Sequence, residues 1–173
     1  MLTNFYQASK HLNQQATDEM SVSLCLAKWS DIGLLRRWKN AHIQSFFHKG
    51  QISISQQEEW FSGYLKRPDD YMFIASLNEK IKFGCLGCRY MKNIGWDLYN
   101  IINGLSFTQK KGLMSIALQQ LLSFCQCLRP EASITLKVLA NNPARFWYEK
   151  NGFVVLENNS DYVLMEYYIS SEH

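Results

Sequence analysis

The sequence has no apolar run approaching the roughly 18–20 residues that a bilayer-spanning helix needs, so a membrane partner is not expected. It also has no large charge imbalance: 18 Lys and Arg stand against 15 Asp and Glu. That weak basic bias suits an anionic cofactor and falls far short of a nucleic-acid footprint, so nucleic acid is not expected either. No internal repeat or low-complexity segment interrupts the chain. Its first twenty residues lack the basic start and apolar block of a signal peptide. The five cysteines are an odd set. A disulfide framework is therefore not expected, and the cytoplasm is the expected compartment.

A second CxxC and a paired His cluster are missing as well. Cys85 and Cys88 have the spacing of a metal or redox motif, but their surroundings read as strand, where residues three apart point to opposite faces. Cys125 and Cys127 lie two apart on an expected helix and also diverge. Core or boundary cysteines are the favoured reading, with no metal. A zinc or redox protein built on Cys85 and Cys88 is a competing reading, and it predicts bound metal or a titratable dithiol.

What is present is a folded chain of 173 residues, 47% apolar and 14% aromatic, which fits one domain. Residues 1–20 are polar and aperiodic and read as an arm, frayed or with a short added helix. Residues 21–173 read as a single domain. The pattern predicts a strand from Ser21 to Trp29, then an amphipathic helix capped by Ser30 that sets Ile32, Leu34, Leu35 and Trp38 against Arg36, Arg37 and Lys39. A loop with His42, His48 and Gly50 follows. Ser55-Gln56-Gln57-Glu58 reads as a capping box opening a helix with Trp60, Phe61, Tyr64 and Leu65 on one face, which Pro68 stops. Tyr71–Leu77 and Ile81–Met91 form a hairpin around Asn78-Glu79-Lys80. Trp96–Phe107 is extended, with Gly104 as a candidate bulge. Leu113, Ile116, Ala117, Leu121, Phe124 and Leu128 follow a helical period. A strand to Ala140, a short helix and two last strands complete the order βααβββαβαββ, an α/β layered fold with a mixed sheet.

Two segments carry chemistry. Thr108-Gln109-Lys110-Lys111-Gly112-Leu113-Met114 leads into the long helix. A turn with a central Gly at a helix start exposes backbone N–H groups at the positive end of the dipole, a geometry that binds phosphate. Asn141-Asn142-Pro143-Ala144-Arg145-Phe146-Trp147-Tyr148-Glu149-Lys150-Asn151-Gly152-Phe153 follows a strand. It brings an amide and a phenol close together at the strand end, where they can hold a cofactor and hand it a proton. The alternative reading makes Tyr148 one more aromatic beside Phe146 and Trp147, packing the helix on the sheet; the spacing favours the proton donor.

Together these segments resemble the GNAT superfamily of acetyl-CoA-dependent N-acetyltransferases. Gln109 and Gly112 match two of the three fixed positions of the family's pyrophosphate loop, [QR]-x-x-G-x-[GA]. Asn141, Ala144, Tyr148, Gly152 and Phe153 match its later N-x-x-A-x-x-x-Y-x-x-x-G-F pattern completely. The departure is Met114, where the family prefers Gly or Ala; a Met there either crowds the loop or points into the core. The resemblance covers about residues 22–169 and implies a mostly antiparallel central sheet flanked by helices. It implies acetyl-CoA as co-substrate, bound through the amides of Gln109, Lys110, Lys111, Gly112, Leu113 and Met114, with Asn141 on the pantetheine arm. It implies Tyr148 as donor to the departing thiolate, a transfer that a phenol near pKa ~10 can make to a thiol near about 8.5. The family often carries a carboxylate base on the fourth strand, where Asp97 is the nearest candidate.

The acceptor side is less defined. Leu35-Arg36-Arg37-Trp38-Lys39-Asn40, Ile54-Ser55 and Glu59-Trp60-Phe61 are similar to a subgroup that acetylates ribosomal-protein N-termini or amino groups on nucleotide-linked sugars. A small-molecule amine, with an amino sugar favoured, is the expected acceptor. Protein N-terminal acetylation and a non-catalytic acyl-CoA-binding module are the alternatives. Trp96 and Tyr99 suit either a stacking surface or a core. Glu58, Glu59, Asp69 and Asp70 are expected to cap or solvate the second helix. Monomer and homodimer are both open.

Overall fold

The computed structural model describes residues 20–106 and 112–168. Seven strands form one sheet: β1 (Val22–Leu26), β2 (Asp70–Leu77), β3 (Ile81–Met91), β4 (Gly95–Asn103), β5 (Ile134–Leu139), β6 (Phe153–Asn158) and β7 (Tyr162–Tyr167). The helices among the described residues are α1 (Ile32–Ala41), α2 (Ile54–Tyr64), α3 (Leu113–Leu128) and α4 (Ala144–Lys150). The sheet order is β1-β2-β3-β4-β5-β7-β6, and only β4 with β5 is parallel. This is a mixed, mostly antiparallel sheet flanked by helices.

Seven of the eight residues of β2 are buried, as expected of a strand covered on both faces. Its hairpin to β3 turns through Asn78 and Glu79, both at positive φ, the backbone that matches strand twist in a tight hairpin. Beneath one face lies α3, whose Phe124 meets Tyr71 and Phe73 edge-on at 5.1 Å each; α4 adds Tyr148 to the same core. The other face is covered by α1 and α2, through Leu35, Trp38, Phe61 and Tyr64. Cys85 belongs to the α1/α2 core and Cys88 to the α3 core, so the two thiols diverge across the sheet.

Several local expectations shift. Ser30 lies inside a short 3₁₀ turn, Trp29–Asp31. Buried Asp31 supplies the polar contacts there instead, accepting from the Lys28 amide at 2.9 Å and pairing with Lys82 at 2.5 Å. The capping box begins at Ser53 rather than Ser55: Ser53 Oγ accepts from Gln56 N and Gln56 Oε1 accepts from Ser53 N. Starting two residues earlier lengthens α2 by half a turn and keeps Gln57, Phe61 and Tyr64 on its buried face. Helix α2 stops at Tyr64, ahead of Pro68. Asp70 does not solvate that helix end; it is buried, bonded to Arg67 Nε at 2.6 Å and accepting from the Tyr99 hydroxyl. Trp96 is 1% exposed and belongs to the core.

Candidate active site

Strands β4 and β5 pair only where Trp96–Leu98 meets Ile134–Leu136. Beyond that both continue, to Asn103 and Leu139, without bonding each other. A bulge in β4 accompanies the parting. Between the pairs Gly87–Tyr99 and Cys85–Ile102 the β4 strand carries an extra residue, and Asn100 sits at φ +49°. The bulge lies at Asn100 rather than Gly104. Gly104 serves a close approach instead, since a Cβ there would lie 2.0 Å from Trp38 Nε1. The parted strands leave main-chain N–H and C=O groups facing a gap, available to a ligand that can bond them.

Three adjoining cavities line this gap. The central one, about 440 Å³, is walled by β4, β5, Asp97, Asn142 and Tyr148. It shares Lys39, His48, Asn100 and Ile102 with a cavity of about 350 Å³ on the α1/α2 side. It shares Ile101, Asn103, Ala144 and Tyr148 with one of about 280 Å³ on the α3/α4 side. The gap therefore links both faces of the sheet.

On the α3 side, Gly112 adopts φ +66°, and a Cβ at this position would meet nothing within 4 Å. Glycine is therefore favoured there by backbone conformation and not by lack of room. The first intrahelical bonds are Ser115 and Ile116 donating to the Gly112 carbonyl, which leaves the amides of Leu113 and Met114 at the open, positive end of α3. Met114 is 7% exposed. Its Sδ lies over Gly84, where a Cβ would be 2.7 Å away, so the side chain points into the core. Gly112 and Met114 line the small cavity, while Leu113 is buried. Gln109, Lys110 and Lys111 lie outside the described residues.

Tyr148 is buried and packs edge-on to Trp147 at 4.9 Å and Phe153 at 5.7 Å. It fills a core position and a cavity wall at once. Its hydroxyl bonds to none of the described residues, and burial pushes the phenol well above its ordinary value. Trp147 Nε1 donates to Ser115 Oγ at 3.1 Å, tying α4 to the start of α3. Asp97 lines the central cavity with Tyr148. Burial raises its carboxyl, while Arg89, 3.2 Å away, opposes the shift. Asn141 is not brought into this gap. It is exposed and lines a separate shallow hollow with Phe47, Lys49 and Asp161. Its neighbour Asn142 lines the central cavity, accepts from Ala144 N at 2.9 Å to start α4, and donates to Ser45 O at 3.3 Å.

Lys39 and Asn100 are site residues that sequence reasoning missed. Lys39 Nζ donates to Asn100 Oδ1 and lies 3.1 Å from the centroid of the Phe46 ring. Burial lowers its pKa to about 8. Cys85 donates to the Asn100 carbonyl at 3.3 Å, and burial pushes its thiol up to about 12. His42 lines the central cavity and His48 lines both it and the α1/α2 cavity. Asn40 clamps the intervening loop, accepting from Ile52 N at 2.9 Å and donating to Ile52 O at 3.0 Å.

Solved structures share this mixed sheet with its splayed parallel pair. The chain is similar to the nucleotide-linked sugar GNAT FdhC (TM-score 0.71, 14% identity, covering 84% of this chain and 85% of that one). It is also similar to spermidine N-acetyltransferase from Vibrio cholerae, solved with CoA and spermine (TM-score 0.68, 18% identity, 84% and 92% covered). A domain from Methanocaldococcus jannaschii superposes with a TM-score of 0.74 at 16% identity, covering 86% of this chain and 98% of that one. No protein-family model matches the sequence, and no curated protein matches it in sequence. The chain has the fold of the GNAT acetyltransferases.

Proposed function

We propose that the protein is an N-acetyltransferase that moves an acetyl group from acetyl-CoA to a primary amine on a small molecule. The observation that carries this reading is the gap between β4 and β5, which opens toward the α3 start on one side and toward α1 and α2 on the other. The residues present fit coenzyme A. The amides of Leu113 and Met114 at the start of α3, unpaired among the described residues, suit a pyrophosphate, and Gly112 leaves space above them. The β4 edge that β5 leaves after Leu98 suits the amides of a pantetheine arm, in the manner of an added strand. Asn142 is the amide that lines the gap; the role expected of Asn141 is better assigned to it. Gln109, Lys110 and Lys111 would complete the anion loop by resemblance.

Acetyl-CoA supplies the thioester. The amine nitrogen forms the new C–N bond as the C–S bond breaks, and Tyr148 gives its phenolic proton to the departing sulfur. Burial keeps that proton on Tyr148 throughout the neutral range, so the donor is always loaded. Because the same shift makes it a weaker acid than a free phenol, the transfer depends on the phenol being held beside the departing sulfur. The proton released by the amine goes to Asp97 or to water, Asp97 being the carboxylate in the central cavity, and its raised pKa makes it a better acceptor than an exposed one. Isothermal titration with coenzyme A, followed by thiol release over a panel of amines, tests the proposal. Binding without turnover on any amine would favour a non-catalytic acyl-CoA-binding module, and the absence of binding would remove both readings.

A further inference from the structure

The cavity between α1, α2 and β4 has an unusual electrostatic make-up for a site that must receive an amine. No Asp or Glu is among the described residues lining it. The one lysine lining it, Lys39, has no carboxylate partner among the described residues. The remaining polar side chains are the amides of Gln56, Gln57 and Asn100, His48 and the Cys85 thiol, and Leu35, Ile52 and Trp60 make an apolar wall. Gln57 is 6% exposed, lines the cavity, and its side-chain amide bonds to none of the described residues. A cavity-facing amide without a protein partner and a half-buried ammonium held only by an amide oxygen and a ring face both gain from a polar, oppositely charged occupant beside them.

Resting on the acetyltransferase reading, we propose that this cavity takes the acceptor and that the acceptor is a primary amine also carrying an anionic group, a carboxylate or a phosphate, held by Lys39. Gln57 hydrogen-bonds the polar part of the same molecule, and its apolar part lies on Trp60 and Leu35. The anion supplies the counter-charge that no carboxylate among the described residues gives Lys39. A polyamine fits poorly. Its second and third ammonium groups need carboxylates, the cavity offers none among the described residues, and Lys39 repels them. Asp97, the acid of the neighbouring cavity, is already paired with Arg89. A volume of about 350 Å³ is at the small end for ligand sites and suits a molecule of amino-acid or sugar-phosphate size.

The test uses the full chain, acetyl-CoA and matched acceptors: leucine against leucinamide, glucosamine 6-phosphate against glucosamine, and spermidine. The expected result is a kcat/KM at least about tenfold higher for one anionic member than for its neutral counterpart, with spermidine the poorest; which pair shows the gap separates carboxylate from phosphate. Lys39→Met should bring that ratio near one while coenzyme A affinity by calorimetry stays unchanged, and Lys39→Arg should keep most of it. A preference for spermidine or for the neutral members, or an unchanged ratio in Lys39→Met, overturns the inference and leaves the acetyltransferase reading standing. Coenzyme A binding with turnover of none of the anionic amines also overturns it. Absence of coenzyme A binding sinks both.

Discussion

On one face of the sheet α3, with nine of its sixteen residues buried, and α4 close the core around a cavity of about 280 Å³, whereas on the other α1 and α2 leave a larger one of about 350 Å³ against β4. The closed face is apolar and aromatic, and Phe124 locks its centre against Tyr71 and Phe73. The open face carries Lys39, Gln57 and His48 at its cavity. The difference teaches a division of labour. A packed face can hold the helix start at Gly112 and the phenol of Tyr148 in fixed positions, as a common donor requires. A face with spare volume and few fixed charges can be adapted to one acceptor.

The sharpest way to break this comparison is to truncate both faces. Phe124→Ala should cost about 3–5 kcal/mol, the range for emptying an aromatic site in a tight core. Leu35→Ala, beside a cavity that already exists, should cost nearer ~2 kcal/mol, the low end for such truncations. Urea unfolding of the two variants measures both, and equal losses would show that the open face is as tightly packed as the closed one.

Next in size is the chemical effect on the donor side. Tyr148→Phe should lower kcat about 100-fold, or ~2.7 kcal/mol of barrier, with coenzyme A affinity unchanged. Stability should hardly move, because the hydroxyl has no partner among the described residues and the ring stays packed. An unchanged kcat with a good acceptor would leave Tyr148 as packing alone.

The two faces also differed in how far they could be read from sequence. The Leu113–Leu128 period records burial along one helix stripe, and Ala144–Lys150 forms the short helix that the Asn141–Phe153 spacing predicts. Those are local signals. The choice between Asn141 and Asn142 is not local in this sense. It depends on which of two adjacent amides the turn after β5 directs into the gap. The Asn100 bulge is a property of register between β3 and β4, which no single strand encodes. Lys39 reads as part of the polar face of α1, yet it is half-buried because β4 bends toward it at that bulge. Asp70 likewise reads as a solvated helix exit until Tyr99, 29 residues on, reaches back to it.

A smaller effect, on the open face, is the pH dependence of stability. Lys39 titrates near 8 in the folded protein instead of its usual 10.5, so between these values the unfolded chain binds more protons and stability rises with pH. The cost of charging Lys39 is fully present below about pH 8. The groups around it are the Cys85 thiol, pushed up to about 12 and therefore neutral here, the Asn100 amide, the Phe46 ring and His48. The raised phenols of Tyr99 and Tyr148 act in the opposite sense, but only above about pH 10. Unfolding free energies of wild type and Lys39→Met, compared over about pH 7 to 10, should converge or cross by about 2 kcal/mol in favour of wild type as pH rises. A constant difference would mean that Lys39 is hydrated and carries no unpaired charge.

The smallest expected change separates the faces most cleanly. Ser53 caps α2 through the reciprocal bonds with Gln56, and Gln56 and Gln57 both line the α1/α2 cavity. Ser53→Ala should cost about 1 kcal/mol and loosen the first turn of α2, where those two amides sit. The acceptor KM should then rise a few-fold, since the amides are no longer held in position, while coenzyme A affinity stays as it was because the α3 start and α2 lie on opposite faces of the sheet. A parallel loss of coenzyme A binding would show that the two faces are mechanically coupled through β4, and that acceptor and donor sites cannot be tuned separately.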